Sequence, residues 1–532
     1  MSTRTTIHAA ATLGRWATLA LMAMCAAVAL AQAAHAQTGG AQAHVRAAID
    51  AMGGEAKLRA LTTVRIRGIG HQYLLEQSER PEGPWLVSYR QIDELRDHAA
   101  GRVAQHLETR DYNSDAWSGY TRLFSGDAVV YARGGRMGPG RPADARELAD
   151  RLALSPERVL LTALAAPDLV TGRDTTLQDG AQHVVRFTHR GMRVRLFLSA
   201  RTALPTAIET TAGRPDDGFW NVWGDVTRRT YLSFWSLEPG GLRYPHQWDV
   251  EWRGMPAESF TVLAFDPAAA AADDSFAITP QARQAYQALA SAGARTLALG
   301  EIPGRPRRDP VEVAPGVVVL PGMWYTTLVR QSDGIVVIEA PITPEYSAQV
   351  LAEAARRFPG VPVKAVVSTS DAWPHVGGVR EYVARGIPVY TLDLNRPLLE
   401  RMVAAPFTLA PDALARAPRR PRFITVADKT VIGTGENRIE LYPVRQEEAE
   451  RMMVAYLPGR RVLYASDLLQ RLPDGTFFFA EYPYELAETV RRERLDVQTV
   501  SAMHMSPIPW AEVQASVRKS MTAPATAAAG TQ

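Results

Sequence analysis

At 532 residues, with 59 basic against 56 acidic side chains, the chain is long enough for more than one hydrophobic core. It is too evenly charged to work through a basic nucleic-acid-binding face. Its single cysteine, Cys25, falls in an N-terminal leader, so the mature chain is expected to lack disulfides, Cys-built zinc sites and a cysteine nucleophile.

The leader is Met1 to Ala36. Arg4 and Arg15 precede an apolar run from Ala17 to Leu30, and Ala34-His35-Ala36 is a small-x-small cleavage box. Removing it leaves 57 basic against 56 acidic residues, with Gln37 first. There is no Arg-Arg pair for a twin-arginine route, and Met22-Ala23-Met24 before Cys25 is a poor lipoprotein box. No later stretch approaches the ~20 apolar residues of a membrane helix. The expectation is an exported protein without a transmembrane segment, periplasmic in a Gram-negative source.

Residues 37–266 read as a mainly antiparallel β domain. Ala47 to Leu61 has helical spacing broken by Gly53-Gly54, and Val64-Arg65-Ile66-Arg67-Gly68-Ile69 alternates with period two. Glu147 to Ala166 has helical periodicity. His183 to Thr188 and Arg193 to Leu198 flank a hairpin turn, and Thr230 to Leu237 and Tyr244 to Trp252 flank Glu238-Pro239-Gly240-Gly241. Phe219, Trp220, Trp223, Tyr231, Phe234, Trp235, Trp248 and Trp252 form an aromatic group that is either plain core or the lining of an apolar cavity.

Residues 267–308 read as a linker with a helix from Pro280 to Ala298, ending in Pro303-Gly304-Arg305-Pro306-Arg307-Arg308. A second domain, 309–519, follows, and then a disordered tail, 520–532. The second domain opens with strands at Val311 to Leu320, Tyr325 to Arg330 and Gly334 to Pro341, then an amphipathic helix from Ser347 to Phe358. Val363 to Ser368 is a short buried strand, and a polar loop and Gly377-Gly378 lead from it into another helix. Pro374 is expected to hold Trp373 extended. Strands follow at Ile387 to Tyr390, Met453 to Pro458, Arg461 to Leu469 and Val500 to Pro507. Alternating strands and helices predict an α+β protein with an αββα sandwich, its site at the strand ends.

The loop Thr369-Ser370-Asp371-Ala372-Trp373-Pro374-His375-Val376-Gly377-Gly378 resembles the metallo-β-lactamase signature T-H-x-H-x-D-H-x-G-G. The resemblance covers the second domain, with Asp467 in the place of the metal-bridging aspartate and His504 in that of the last histidine. Glu339 stands where the family often has aspartate. The family's first metal site would need histidines where Ser370, Ala372 and, by position, Glu448 stand. Its second site keeps His375, Asp467 and His504 but has Pro374 for the loop aspartate. From residue 300 onward these are the chain's two histidines. The resemblance therefore implies one divalent metal, zinc or another first-row ion, on His375, Asp467 and His504. Asp371 or Glu448 would orient or deprotonate a metal-bound water. The strand-rich N-terminal region resembles the half-open sheet of periplasmic lipoprotein carriers, which implies a small-molecule or lipid-like ligand.

Three functions follow: a one-metal hydrolase of unspecified substrate, a catalytically silent exported binding or scaffold protein for an apolar ligand, and serine catalysis through Ser370 and His375. The last lacks a G-x-S-x-G elbow.

Overall fold

The structure, a computed structural model, describes residues 37–75, 83, 85–112, 114, 116–215, 217–292, 297–302, 306–472 and 475–522. The expected leader and cleavage box, Pro303 to Arg305 of the expected linker, and residues 523–532 of the expected tail lie outside the described residues. Among the described residues no helix is long and apolar enough to cross a membrane.

Two compact units divide the chain. Of the described residues, those within 37–72, 88–212 and 227–291 form the first, and those within 73–87, 213–226 and 292–522 the second. The first is built on a fourteen-stranded antiparallel sheet running from Arg136–Pro139 at one edge to Val170–Thr171 at the other. Its alternation follows from one covered face: Val64 and Ile66 are buried while Arg65 and Arg67 are exposed. A helix over 37–52 and the helix Val159–Ala165 cover that face, packing Val45, Ile49, Met52 and Leu160 with Val185, Leu196, Tyr244 and Phe260. In the hairpin of Gly180–His189 and Met192–Ser199, His189 pairs with Met192. That leaves a two-residue turn in which Arg190 (φ 48°) and Gly191 (φ 81°) are both left-handed, the type I′ geometry that matches strand twist.

Three expectations for this region change. The helix expected from Glu147 to Ala166 is two helices, Pro142–Ala153 and Val159–Ala165. Pro156 lies between them, with no N–H to give and a bias against helix at Ser155. The helix Pro280–Ser291 is no linker, because Tyr286 packs with Phe124 and Val129, and Ala282 with Leu123 and Val130. The aromatic group does not share one place. Trp248 is in the core of the first unit, Phe234 is 76% exposed, and Trp220 and Trp223 fall in the second unit.

The second unit contains two sheets. One has seven strands in sequence order from Val311–Ala314 to Phe423–Val426. The first four are antiparallel, and Gly334–Ile338, Val363–Ser368, Val389–Leu392 and Phe423–Val426 run parallel. The other has six strands from Thr430–Ile432 to Met505–Pro509, antiparallel except where Val462–Tyr464 lies parallel to Thr499–Ala502. The helix Glu481–Arg492 lies between those two in sequence and makes the crossover that a parallel pair needs.

Between the sheets, Val317, Val329, Val336, Ile338 and Val367 meet Leu441, Met453, Ala455 and Tyr464. On the far side of the six-stranded sheet, Val454, Leu463 and Val500 pack with Leu486 and Val490 of Glu481–Arg492 and Val513 of Trp510–Thr522. On the seven-stranded sheet the alternate residues Val318, Leu328, Val337 and Val366 are buried too, so that face is also covered. The helix Pro344–Arg357 offers Tyr346, Val350, Leu351 and Ala354 as a buried stripe, and Thr343 caps it by accepting from the Tyr346 amide at 3.1 Å. The chain is therefore α+β, with an αββα sandwich preceded by a β-rich unit.

Candidate metal centre

Parallel pairing places the carboxyl ends of Gly334–Ile338 and Val363–Ser368 side by side, and likewise those of Val462–Tyr464 and Thr499–Ala502. Each of these four ends leads into the site: to Glu339, to Thr369 through His375, to Ser466 and Asp467, and to His504. His504 sits in the two-residue turn before Met505–Pro509.

His375, Asp467 and His504 offer ligand atoms that all lie within 4.8 Å of one another, forming the metal-capable group found among the described residues. His504 Nε2 is 2.7 Å from Asp467 Oδ1, and His375 Nε2 is 3.8 Å from Asp467 Oδ2. The imidazoles are 5.4 Å apart between centroids, and Trp324 stands edge-on to His504 at 6.4 Å. His375 is 3% exposed, whereas His504 and Asp467 are 20% and 21% exposed, so the group has a deep and an open side.

Burial dominates the electrostatics. It pushes the His375 imidazole down to about 4, against the pull of Asp467, so the ring is neutral at pH 7. Burial opposes ionisation of Asp467 as well, but the two imidazoles outweigh it and hold the carboxyl below its usual range. With His375 neutral, the hydrogen bond from His504 is the contact that sustains this charge. The donor set is then a neutral His375 nitrogen, the His504 ring and one anionic oxygen.

That set fits a metal ion. Ligands about 2.0–2.2 Å from a tetrahedral centre lie roughly 3.3–3.6 Å apart, close to the His375–Asp467 spacing. Among the described residues neither ring nitrogen of His375 makes a hydrogen bond, and its Nδ1 is fully enclosed. A buried imidazole without a partner is costly unless something else satisfies it.

Behind the group lies a second polar layer that sequence reading left without a role. Glu339 is fully buried, and burial pushes its carboxyl up to about 8, opposed by hydrogen bonds from Thr369 and reinforced by Asp467. Its Oε1 accepts from the Thr369 amide at 3.2 Å and from the Thr369 hydroxyl. That hydroxyl also lies 2.7 Å from Ser466 Oγ. The Tyr464 hydroxyl donates to the Met503 sulfur at 3.8 Å. Glu339 had two signals in the sequence, an acid at the end of an apolar run and its place where the resembled family often has aspartate. Trp324 and Ser466 had none.

The loop itself departs from expectation. Trp373 is not extended: Trp373–Val376 is a helical turn with Pro374 in its first two positions, where a missing N–H costs nothing. The glycine pair has a steric purpose. A Cβ on Gly377 would lie 2.2 Å from the Ile342 carbonyl oxygen, and one on Gly378 1.9 Å from Ser347 Oγ.

Asp371 and Glu448 stand outside the converging group. The Asp371 carboxylate faces Arg451 at 3.9 Å, and Glu448 is exposed, its amide donating to Glu485 at 3.0 Å. Arg451 thus offers the Asp371 carboxylate a cation, and the turn before Ala449 places Glu448 at the surface. Ser370 is buried, and its hydroxyl accepts from the Ala372 amide at 3.2 Å rather than engaging His375.

No family model and no curated protein matches the chain. Among solved structures it is similar to a metallo-beta-lactamase from Pontibacter korlensis, at 16% identity over 40% of this chain and 99% of that one, with a TM-score of 0.32. It is similar to the DIM-1 metallo-beta-lactamase at 12% identity over 40% and 97%, TM-score 0.32. It is also similar to the inverting sec-alkylsulfatase Pisa1 from Pseudomonas sp. at 17% identity over 39% and 40%, TM-score 0.30.

Proposed function

We propose that this chain is an exported hydrolase of metallo-β-lactamase type that works with a single divalent ion, zinc foremost, held by His375, Asp467 and His504. The observation that carries the reading is the convergence of these three side chains, which come from three separate strand ends, around a buried imidazole whose Nδ1 has no hydrogen-bond partner among the described residues.

A divalent ion bound there supplies a water acidified to about pKa 7 and a positive charge beside the electrophile. His375, neutral through burial, and ionised Asp467 are ready to bind without first losing a proton. His504 and Asp467 form the open side, where a carbonyl or phosphoryl substrate would arrive. Glu339, holding its proton at pH 7, keeps a second negative charge away from the ligand carboxylate.

The test is elemental analysis of protein purified without a metal-affinity tag. One equivalent of metal, lost in the His375→Ala, His504→Ala double variant together with turnover of activated esters or phosphoesters, supports the hydrolase. The competing reading is a silent scaffold or apolar-ligand carrier. It is favoured by the direct 2.7 Å contact of His504 with Asp467, which satisfies both groups without an ion. Metal-free protein with unchanged folding and a co-purifying lipid would support that reading instead.

A further inference from the structure

Ile342 has φ 71°, a left-handed conformation that a β-branched side chain adopts only under constraint. Three contacts impose it, all within the second unit. Its amide donates to the Pro374 carbonyl at 2.7 Å, next to His375. Its carbonyl accepts from Asn221 Nδ2 at 2.6 Å. The space beside that carbonyl exists because Gly377 has no Cβ.

Asn221 belongs to the 3₁₀ turn Trp220–Trp223, whose two tryptophans meet Trp373 edge-to-face at 4.8 and 5.3 Å. The turn is itself anchored. Gly224 (φ 64°) passes so close to the Pro406 carbonyl that a Cβ would lie 2.2 Å from it. The Asp225 carboxylate accepts from the amides of Thr408 and Leu409 at 3.0 and 2.9 Å. Beyond His375, Arg380 stacks on Phe407 at 3.7 Å and pairs with Asp412. The residues on both sides of His375 are thus tied to this segment or to its anchor.

We propose that the turn Trp220–Trp223 positions the metal centre, with Asn221 as its working residue: it holds Ile342 in the left-handed conformation and through it fixes the loop that aims His375. A strained residue persists where its surroundings over-determine it, and such strain collects beside functional groups. The segment is remote in sequence from all three ligand residues, and nothing in its composition announces the role.

The experiment uses the full chain, with Co²⁺ as probe. Only this cobalt arm rests on the metal reading above. Asn221→Ala is expected to weaken Co²⁺ binding about 10- to 100-fold, as removal of an orienting partner does, and to change the visible absorption of the bound ion. Adding Ile342→Gly should recover most of both, because glycine adopts that φ without the Asn221 tether. In metal-free protein, the ring ¹⁵N signals of His375, assigned by His375→Ala, should move in Asn221→Ala and return in the double variant. Asn221→Asp, isosteric but unable to donate to the Ile342 carbonyl, should behave like Asn221→Ala and replaces it if alanine does not fold. Ring signals in the Asn221 variants identical to wild type would overturn the inference. Wild-type protein that takes no Co²⁺ would overturn the metal reading, and the ring signals would still decide this one.

Discussion

Thr369, at the end of a strand in the seven-stranded sheet, and Ser466, at the end of one in the six-stranded sheet, are joined by two contacts: hydroxyl to hydroxyl at 2.7 Å, and Ser466 Oγ to the Thr369 carbonyl at 3.2 Å. Both residues are fully buried, and Ser466 is left-handed (φ 53°). The pair stitches the two halves of the sandwich where the ligand residues leave it. Thr369→Val keeps the shape and the Ser466 bond to the backbone carbonyl, but removes the buried hydroxyl that serves both Ser466 and Glu339. A loss of about 2–3 kcal/mol is expected in urea unfolding, the usual cost of leaving buried polar groups unmade. Unchanged stability would mean the contacts are incidental.

Glu339 makes the unit sensitive to alkali. Its carboxyl goes from 4.5 when unfolded to about 8 when folded, so its contribution is complete below pH 4.5 and is lost as the pH rises through 8. Glu339→Gln removes this loss. At pH 7 the variant should be more stable than wild type by about 2–3 kcal/mol, and the advantage should vanish near pH 4.5. Parallel pH–stability curves for the two proteins would contradict the buried-acid account.

His375 acts in the opposite sense. Its imidazole falls from 6.5 to about 4 on folding, so its contribution is present above pH 6.5 and is lost as the pH falls through 4. In the Glu339→Gln background, where the opposing slope is gone, metal-free protein should lose about 3 kcal/mol between pH 7 and pH 4. Adding His375→Ala should abolish most of that slope. Chemical denaturation at a series of pH values reads both.

Metal removal should be visible in thermal unfolding. If the centre binds zinc, a ligand concentration 1,000 times Kd stabilises the fold by about 4 kcal/mol, and a chelator removes that increment. His375→Ala and His504→Ala should each abolish the chelator effect. An equal melting temperature with and without chelator in wild-type protein would count against a bound ion.

In the first unit, Arg96 is 1% exposed and sits between Glu94 and Glu157, at 2.5 and 2.8 Å. Burial works against Glu94, but Arg151 and Arg96 hold its carboxyl at about 2. Arg96→Ala would leave two buried carboxylates without their shared cation. A cost of about 3–5 kcal/mol is expected, typical of breaking a buried pair from one side. Arg96→Met with Glu94→Gln and Glu157→Gln should restore much of it.

Local order was open to reading along the chain. Period-two runs such as Val64 to Ile69, the apolar run Val363–Ser368 and the glycine breaks at Gly53-Gly54 each follow from the nearest neighbours, because pleat, helix pitch and turn chemistry are local properties. The two histidines of the second domain and Asp467 could also be singled out, since their residue types narrow the chemistry wherever they sit. Tertiary structure alone decided the rest. It turned Asp371 towards Arg451, left Glu448 on the surface, and recruited Glu339 and Ser466 behind the ligand residues. It also brought Asn221, more than 150 residues before His375, against the loop that carries it. These outcomes depend on which strand ends meet and on what burial does to a charge there, and both are set by contacts between segments that no local pattern encodes.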